Sequence, residues 1–539
     1  MNIICITWGV LSGIGKGITG ASIGTLLKNS GYKIFMQKFD GYLNVDAGTI
    51  NPYKHGECFV TADGSETDLD IGHYERFIDT DMNHESIYTM GKLYQEILSK
   101  ERKWDYLGND VQIIPHMTEL IKSKIKQGYE HSWAHISIIE IGGTIGDIEN
   151  EVIIESIRQL RSEYGTEKII FVHLAYIPYL LASKELKTKP TQNSVKDLRM
   201  RGIIPDMLML RADYEIPDDI RRKVSTMCGV QYDHVIPLPT LSSIYLVPSH
   251  LNSHHVWQSL LQLLWKKKID PDLSSRQYLT RQIQSNLPII TIAMIGKYVS
   301  LEDAYYSLNE SLKVAGWYQW YTTKIKFIEA EEITNDNVSI LLSNCAGICI
   351  PWGFGTRGIE GMITAAQHAR TNKIPYLGIC LGSQIMAIEF ARNVLWYIDA
   401  TSEEFDPEHT SKHHVIHIME SQKNLSNKWW TMRLGNYKCK LKQWSKIAQL
   451  YNSPLSHQQS EANGEISERH RHRFEFNNIY RDNFEEAGFI ISGTSKDNTL
   501  VEMIELQNHP FMCATQSHPE FLARPTHPHP LMMGFIQAI

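Results

Sequence analysis

The first nineteen residues, MNIICITWGVLSGIGKGIT (1–19), determine how the chain begins to fold. The apolar, β-branched run at 3–7 predicts a buried strand. Glycines at 9, 13, 15 and 17 then predict a tight turn, with a helix from about Ile18. Backbone N–H groups at the start of that helix, with Lys16 beside them, would attract an anion. We therefore predict a nucleotide-phosphate site here. The alternative is a glycine turn that only joins a strand to a helix.

The turn departs from both common nucleotide-binding patterns. A P-loop reads Gly-x-x-x-x-Gly-Lys-Ser/Thr, whereas here Gly9 lies one residue too far out and Gly17 replaces the hydroxyl residue. In the dinucleotide fingerprint the last position is glycine, and here it is Ile18. Because the missing hydroxyl is the usual Mg²⁺ ligand of a P-loop, any metal must be held by carboxylates elsewhere.

Length and composition narrow the class of protein. A chain of 539 residues with 42% hydrophobic and 21% charged residues predicts a globular protein of two large or several small domains. Its net charge of −7 argues against a general nucleic-acid binder. Eight cysteines without a CxxC pair indicate neither a disulfide framework nor structural zinc.

Nothing in the sequence predicts a membrane segment or an exported protein. The N-terminus enters a core strand directly, which is unlike a signal peptide. The longest apolar run, 169–182, contains His173 and Pro178 and is too short to span a bilayer. We expect a cytoplasmic protein without nucleic-acid or membrane partners.

The first half alternates buried strands with helices, which predicts a doubly wound parallel sheet. Strands are expected at 3–7, 33–37, 136–141, 168–174, 207–210 and 234–238, with a helix near 151–162. Ligands of such sheets collect beyond the carboxyl ends of the strands. Polar segments at 38–46, 64–70 and 140–149 fall at such positions. Glu140 is the best Mg²⁺ candidate, because it ends an otherwise apolar strand. Capping or solvated acids remain the alternative.

The segment KTKPTQ at 187–192 is a further phosphate candidate. Its two lysines and two threonines, stiffened by proline, could clamp a polyphosphate, although a charged surface turn would look the same. A linker is expected at 267–287, between a domain at 1–266 and another at 288–539. The second domain begins a new α/β series at 289–296, 324–328, 347–350 and 375–379, and the polar stretch 453–467 predicts an exposed loop.

A second candidate reactive site is a sharp strand-to-helix turn, a cysteine elbow, in the second domain. Residues 375–384 predict a strand, a sharp turn with Cys380 at its apex, and a helix. A thiol at a helix N-terminus is favoured as thiolate, whereas a buried core cysteine is the simpler alternative. Near the C-terminus, His518 and Glu520 would share one face of an extended backbone, so that the histidine accepts the thiol proton and the glutamate orients it. Residues 351–355 could supply an oxyanion N–H.

These motifs together resemble a known family. GICLG around Cys380 and HPE at 518–520 are similar to the class I glutamine amidotransferases, which release ammonia from glutamine. The first half resembles the synthetase domain of the CTP synthase family. That resemblance is carried by SGIGKG at 12–17, NVDAGT at 44–49, the acidic run from 66 to GHYERF ending at 77, KERKWDYLG at 100–108, EIGGTIGDIE at 140–149 and KTKPTQNSVK at 187–196. In the second half, RHRHRFE at 469–475 is also typical of the family.

The resemblance implies two doubly wound α/β domains: a P-loop-like parallel-sheet synthetase and a class I glutaminase. The family phosphorylates the 4-oxygen of UTP with ATP and Mg²⁺, then displaces the phosphate with ammonia from glutamine. The resemblance also implies activation by GTP, feedback inhibition by CTP and assembly as a homotetramer.

The family's site residues map onto this chain as follows. Catalysis would use Cys380, His518, Glu520 and Lys16. ATP would meet Gly13, Ile14, Gly15, Lys16, Gly17, Ile18, Asp70, Pro239, Thr240 and Leu241, and Mg²⁺ would meet Asp70 and Glu140. UTP or CTP would meet Ser12, Asp147, Ile148, Glu149, Lys187, Thr188, Lys189, Pro190, Thr191, Gln192 and Lys223. Glutamine would meet Gly353, Leu381, Gly382, Ser383, Gln384, Glu404 and Arg473, and ammonia would pass Pro52, His55 and Cys58.

The chain departs from the family pattern at several of these sites. The substituted positions are Trp8 and Trp352 for glycine, Gly41 for proline, Cys58 for valine, Thr240 for aspartate and Ser383 for methionine. None removes a catalytic group. Two other functions stay open: a glutamine-dependent ligase that aminates a carboxylate, and a nucleotide-binding assembly protein without turnover.

Overall fold

The computed structural model describes residues 1–419, 432–453, 460–461 and 464–539, and for Lys54 and His55 the backbone only. The polar stretch predicted as a loop at 453–467 lies partly outside these residues. Its last three residues, 465–467, belong to a strand instead.

In chain order, the strands are β1 (Ile3–Gly9), β2 (Ile34–Asp40), β3 (Phe59–Val60), β4 (Glu66–Thr67), β5 (Ile87–Thr89), β6 (Ile136–Ile141), β7 (Ile169–Tyr176), β8 (Tyr179–Leu180), β9 (Glu185–Leu186), β10 (Met207–Ala212), β11 (Val235–Pro239), β12 (Ile289–Gly296), β13 (Thr322–Glu329), β14 (Gly347–Ile350), β15 (Tyr376–Ile379), β16 (Thr401–Ser402), β17 (His414–Ile418), β18 (Arg433–Leu441), β19 (Glu465–His472), β20 (Phe474–Phe476), β21 (Phe489–Ser495), β22 (Val501–Leu506) and β23 (Met512–Thr515).

The helices are α1 (Lys16–Asn29), α2 (Pro52–His55), α3 (Leu69–Ile78), α4 (Met90–Arg102), α5 (Thr118–His131), α6 (Glu151–Tyr164), α7 (Lys189–Met200), α8 (Asp218–Cys228), α9 (Val247–Ser253), α10 (Val256–Leu263), α11 (Ser274–Gln284), α12 (Tyr306–Tyr318), α13 (Val338–Leu341), α14 (Ile359–Asn372), α15 (Leu381–Asn393), α16 (Lys446–Tyr451), α17 (Arg481–Glu486) and α18 (Pro530–Gln537).

The chain forms two compact units. The first contains residues 1–47 and 73–280, and the second contains 48–72 and 281–539. A segment from the first half of the sequence, with α2, β3 and β4, therefore belongs to the second unit. The interval predicted as a linker contains α11. The sequence-based domain limits stay a prediction.

The first unit is built on a parallel sheet with strand order β11-β10-β7-β1-β6-β2-β5 among the described residues. Its strands are apolar and buried, as expected for a sheet with helices on both faces. Ile3 and Cys5 of β1 face a cluster that includes residues of α4, α5 and α6, and Ile6 faces α1. The predicted α/β fold is confirmed here, and β5 is a strand that the sequence pattern missed.

The second unit has a mixed sheet of order β13-β12-β14-β15-β23-β22-β21-β18-β19. Strands from β13 to β23 run parallel, and the rest are antiparallel. Alternate residues of β12 enter different apolar clusters, with Ala293 and Ile295 in one and Ile292 and Met294 in the other. Both faces of the sheet are therefore covered. The two-domain α/β prediction is confirmed, whereas the antiparallel half was not anticipated.

The helices were compared with the length and hydropathy that a membrane span requires. Within the parts of the chain that the structure describes, none is both long and apolar enough to cross a bilayer.

Close backbone packing in α14 supplies a test of the fold. A Cβ added at Gly361 would lie 1.8 Å from the Ala330 carbonyl oxygen, whereas one at Gly20 of α1 would meet only ordinary contacts at 3.6 Å. We expect Gly361→Ala to destabilise the second unit by about 1–3 kcal/mol through overpacking. Gly20→Ala, the control, should stabilise by up to about 1 kcal/mol because alanine favours helix. Chemical unfolding measures both, and equal effects would contradict this packing.

Candidate functional site: a phosphate turn and a cysteine elbow

The first turn of the chain has the strained geometry of a ligand loop. Gly13 and Gly15 have φ of 75° and 83°, and Val10 adopts φ 85°, which is rare for a β-branched residue. Helix α1 begins at Lys16, two residues earlier than predicted. Lys16 therefore lies at the N-terminus of α1, where helix N–H groups favour an anion.

Lys16 and Glu140 form an ion pair across this turn. The Lys16 Nζ lies 3.0 Å from Glu140 Oε1, and the Glu140 side chain is fully buried at the end of β6. The other carboxylate oxygen accepts a hydrogen bond from the Tyr74 hydroxyl of α3. The buried charge expected at the end of this strand is thus partnered within the first unit.

Trp8 supports the same lysine. Its ring is 4% exposed, and its Nε1 donates to the Ile141 carbonyl at 3.0 Å. The Lys16 ammonium lies 5.6 Å from the ring centroid, a cation–π distance. Tryptophan in place of glycine is therefore accommodated within the core beside the turn.

The other nucleotide candidates of the first unit follow strand ends. Thr188 is the N-cap residue of α7, so that Lys189, Pro190, Thr191 and Gln192 form its first turn. The Thr191 hydroxyl donates a hydrogen bond to the Tyr176 carbonyl at 3.0 Å. Because α7 has twelve residues, its N-terminus adds a dipole to the predicted lysine clamp.

Glu185 interacts with both Lys187 and Lys223. An ion pair with Lys187 lowers the pKa of Glu185, and the charge of Lys223 on α8 lowers it further. Asp147 accepts the Thr144 N–H at 2.8 Å, Ile148 is 86% exposed, and Glu149 lies in the same short turn. Exposed groups of this kind are available to a ligand.

Three predicted ATP contacts follow one another at the end of a strand. Pro239 is the last residue of β11, and Thr240 and Leu241 come directly after it. The Thr240 hydroxyl accepts from Arg211 Nη2 at 2.9 Å, so that threonine is partnered where the family usually has aspartate. Ser12, Ile14, Gly17 and Ile18 lie in the first turn or in the start of α1.

Asp70 lies in the first turn of α3, and its N–H is bonded to the Asp68 carboxylate at 3.1 Å. It falls in the second unit and Glu140 in the first, and the two-ligand Mg²⁺ site stays a prediction.

The cysteine elbow of the second unit is built as the sequence predicts. Cys380 joins β15 to α15 with φ 52° and ψ −99°, a strained conformation for a residue with a Cβ. A Cβ at Gly378 would lie 2.6 Å from the Gly382 carbonyl oxygen, and one at Gly382 would lie 2.1 Å from the Ile350 carbonyl oxygen. The two glycines therefore allow the tight turn that holds the Cys380 thiol above the sheet.

His518 and Glu520 form the expected pair. His518 Nδ1 donates to Glu520 Oε1 at 2.8 Å, with both side chains buried. Residues 519–521 form a 3₁₀ turn, so the extended backbone predicted there is wrong, although the side chains still meet. Burial lowers the pKa of His518, but Glu520 and the neighbouring Cys380 sulfur outweigh it and raise the pKa overall. The arrangement therefore favours the protonated imidazole of His518.

A cavity of about 180 Å³ opens beside Cys380. Of the predicted glutamine residues, it is lined by Gly353, Leu381, Gln384, Glu404 and Arg473. Gly382 and Ser383 do not line it. Gly382 packs against β14, and the Ser383 hydroxyl donates to the Cys380 carbonyl at 2.8 Å. These two residues support the elbow rather than the cavity wall.

Sequence reasoning missed several residues of this site. Phe354, Met432, His472 and Phe474 also line the cavity. Gln516 donates to the Cys380 sulfur at 3.5 Å and accepts from Gln384 at 3.3 Å. The stretches RHRHRFE and TQSHPE pointed to this region, but no spacing rule distinguishes lining residues from supporting ones within them.

Two residues of opposite charge, Glu404 and Arg473, line the cavity. Burial raises the pKa of Glu404, partly offset by the Gly355 N–H, which donates to Glu404 at 2.7 Å. Burial lowers the pKa of Arg473, and Glu404 acts in the opposite direction. A carboxylate and a guanidinium in one small cavity suit a zwitterionic ligand such as an amino acid.

The loop 352–355 is held from behind by Lys297. Its ammonium donates to the carbonyls of Phe354, at 3.2 Å, and Gly355. Burial lowers the pKa of Lys297 to about 8, although Glu404 raises it in part. Tyr305 donates to the Trp352 carbonyl at 3.3 Å. These bonds fix the loop that carries Gly353.

Trp352 does not occupy the glutamine cavity. Its side chain is 2% exposed and packs among the rings of Tyr298, Tyr305 and Phe354, with centroid distances from 5.4 to 6.2 Å. Its buried Nε1 has no hydrogen-bond partner in the described ranges. The tryptophan therefore fills core space behind the elbow.

Comparison with known proteins agrees with both halves. Residues 2–265 match the family described as CTP synthase N-terminus, and residues 300–538 match glutamine amidotransferase class-I. A CTP synthase from Dehalococcoides mccartyi is 48% identical over 535 residues, covering 99% of this chain and 96% of that protein. One from Halalkalibacterium halodurans is 46% identical, with 99% and 98% covered.

Among solved structures, the glutaminase domain of Trypanosoma brucei CTPS with bound acivicin is 34% identical, with a TM-score of 0.42. The match covers 46% of this chain and 93% of the solved glutaminase domain. The two family matches define a synthetase joined to a glutamine amidotransferase. The chain belongs to the CTP synthase family.

The position of Trp352 leads to a stability prediction. Trp352→Ala should destabilise the second unit by about 3–5 kcal/mol, because a large buried ring is lost. The KM for glutamine should not change, since the ring lies outside the cavity. Trp396→Ala, at a site that is 76% exposed, is the matched control and should leave stability unchanged. A raised KM in the Trp352 variant would place this ring in the substrate site.

Proposed function

We infer that this chain is a glutamine-hydrolysing ligase that makes CTP from UTP, with ATP and glutamine as co-substrates, in pyrimidine nucleotide biosynthesis. The observation that carries this inference is the presence of two separate chemical sites in one member of the family. The first unit has a phosphate turn with a lysine–carboxylate pair. The second has a cysteine elbow with a buried histidine–glutamate pair.

In the second unit, we assign nucleophilic attack on the glutamine amide to Cys380. His518 holds the thiol proton and passes it to the leaving ammonia, while Glu520 orients the imidazole through Nδ1. Arg473 and Glu404 would bind the carboxylate and ammonium of glutamine. The N–H groups of Gly353 and of Leu381, the residue after the nucleophile, would receive the developing oxyanion.

In the first unit, Lys16 would act on the phosphoryl group that passes from ATP to the 4-oxygen of UTP. Ammonia then attacks the ring carbon that carries this oxygen, and phosphate leaves. Gly13 to Ile18 would hold ATP, with Pro239 to Leu241 on the adenine side. Ser12, the 147–149 turn, residues 187–192 and Lys223 would hold UTP, and the product CTP would compete at the same groups.

The carboxylates of Asp70 and Glu140 are the kind of oxygen ligand that Mg²⁺ prefers. The Glu140 carboxylate is buried beside the phosphate-loop lysine, and Asp70 lies in the first turn of α3. Mg²⁺ needs only one or two carboxylates when phosphate oxygens complete its shell, and it would neutralise phosphate charge there. Asp70 and Glu140 would hold it.

Other properties enter the proposal from the family. They are activation of glutamine hydrolysis by GTP, feedback inhibition by CTP, a homotetramer and a cytoplasmic location. The domain limits 1–266, 267–287 and 288–539 belong to the proposal as well. Free thiols at all eight cysteines are consistent with a reducing compartment.

Cys380→Ala separates the two reactions. We expect this variant to lose CTP formation from glutamine and to keep it with free ammonia, because only the nucleophile of glutamine hydrolysis is removed. CTP is measured in the presence of UTP, ATP and Mg²⁺. The half-buried Cys345 provides a matched control, and Cys345→Ala should keep both reactions. Loss of both reactions in the Cys380 variant would contradict separate sites.

Glu140→Gln and Asp70→Asn test the phosphoryl-transfer site. We expect each to lose CTP formation from either nitrogen source, because a Mg²⁺ ligand is gone, while glutamine hydrolysis remains detectable. The measurement is CTP formation across a Mg²⁺ titration, beside glutamate release. A Mg²⁺ dependence identical to that of the unaltered chain would refute both assignments.

A further inference from the structure

A buried arginine outside the predicted glutamine and catalytic sets lies directly behind the nucleophile. Arg471, on β19, is 5% exposed, and its backbone carbonyl accepts from the Cys380 thiol at a sulfur–oxygen distance of 3.8 Å. Its side chain does not line the glutamine cavity, although His472 and Arg473 do. Its role is therefore distinct from substrate binding.

The Arg471 guanidinium is held on two sides. Its Nε donates to Glu66 Oε1 at 2.8 Å, and the Glu66 side chain is 8% exposed. Two aromatic rings pack on it: the Phe354 centroid lies 5.2 Å from Cζ and the Trp352 centroid 5.9 Å. Breaking a buried pair of this kind is costly, because the remaining charge has no counterpart.

Glu66 belongs to the 48–72 segment, which joins the second unit. It lies on β4, opposite Val60 of β3, and it also accepts from the Cys58 thiol at 3.7 Å. A second bond links the same strand pair to β19, since Arg469 Nη1 donates to the Val60 carbonyl at 3.1 Å. The segment is thus attached to the strand that faces Cys380.

Charge is arranged consistently with this geometry. Burial lowers the pKa of Arg471, but negative charge at Cys58, Glu66 and Cys380 raises it overall. The guanidinium also packs on the ring of Phe354, which lines the same cavity as Cys380. A nearby cation favours the thiolate, which is the attacking species.

We propose that Arg471, held by Glu66 and Trp352, is a positioning residue for glutamine hydrolysis, which fixes the carbonyl beside the Cys380 thiol and keeps a positive charge next to the sulfur. The 48–72 segment is then required for a competent nucleophile. This rests on the proposed hydrolysis of glutamine at Cys380. Tryptophan at 352, where the family usually has glycine, gives this chain one of the two aromatic faces that hold the guanidinium.

The test uses the full chain with UTP, ATP, Mg²⁺ and glutamine, and measures glutamate release. Arg471→Gln should lower kcat on the order of 10²-fold, as misplaced catalytic groups do, and leave the KM for glutamine unchanged. Arg471→Lys, which keeps the charge, should recover part of kcat. Carbamidomethylation of Cys380 by iodoacetamide should slow in Arg471→Gln, because the sulfur would lose a neighbouring positive charge.

A double variant distinguishes positioning from simple charge balance. Glu66→Gln combined with Arg471→Gln leaves no unpaired buried charge, so a purely structural pair predicts kcat near that of the unaltered chain. We expect kcat to stay low. The matched control neutralises the pair of the half-buried Arg370 with the buried Glu389, joined at 2.8 Å between α14 and α15, by Arg370→Gln with Glu389→Gln. That control should keep kcat.

Each failure has a separate meaning. If the unaltered chain does not release glutamate, or if Cys380→Ala still does, the proposed function is wrong. If those two results hold and the Glu66–Arg471 double variant hydrolyses glutamine normally, only the role of Arg471 is wrong. A raised KM with unchanged kcat in Arg471→Gln would also overturn it and would make Arg471 a substrate-binding residue.

Discussion

Both chemical sites depend on one backbone constraint, the sharp turn by which a chain leaves a parallel strand and enters a helix. After β1 the turn requires positive φ at Gly13 and Gly15, and after β15 it requires φ 52° at Cys380. The first turn presents N–H groups and Lys16 to an anion, and the second lifts a thiol above the sheet edge. In the function that we propose, the same geometry serves phosphoryl transfer in one unit and nucleophilic attack in the other.

Burial then determines the electrostatics of each turn. Glu140 and Lys16 are paired at 3.0 Å where neither could remain charged alone at low cost. His518 and Glu520 are paired in the same way, and the Cys380 sulfur adds to the charge that the imidazole faces. Trp8 and Trp352 both pack beside these groups as core residues. Of these two departures from the family pattern, Trp352 lies outside the lining of the cavity beside Cys380, and Trp8 lies beside Lys16 without replacing it.

Much of the fold follows from the sequence because its central strands are apolar on both faces. The predicted strands at 136–141, 289–296 and 347–350 coincide with β6, β12 and β14. Short or amphipathic strands such as β5 and the antiparallel β18 and β19 were missed, since their burial depends on partners far away in the chain. Residues 48–72 join the second unit through contacts such as Glu66 with Arg471, which no local pattern encodes.

For the site, local motifs pointed to the candidate reactive groups but not to their surroundings. Cys380, His518 and Glu520 stood out because each lies in a short pattern with a chemical reason. Met432 and Gln516 did not, because their roles arise only when distant strands meet. Gly382 and Ser383 show the converse, since residues next to a nucleophile in sequence can face away from its cavity.

The central claim is that one chain takes nitrogen from glutamine and places it on a pyrimidine nucleotide. The most direct measurement supplies glutamine labelled with ¹⁵N in its side-chain amide, together with UTP, ATP and Mg²⁺, and follows the label by mass spectrometry. The account predicts CTP that carries ¹⁵N in its amino group, formed with glutamate and ADP. Glutamate release without labelled CTP, or CTP that contains only unlabelled nitrogen, would contradict it.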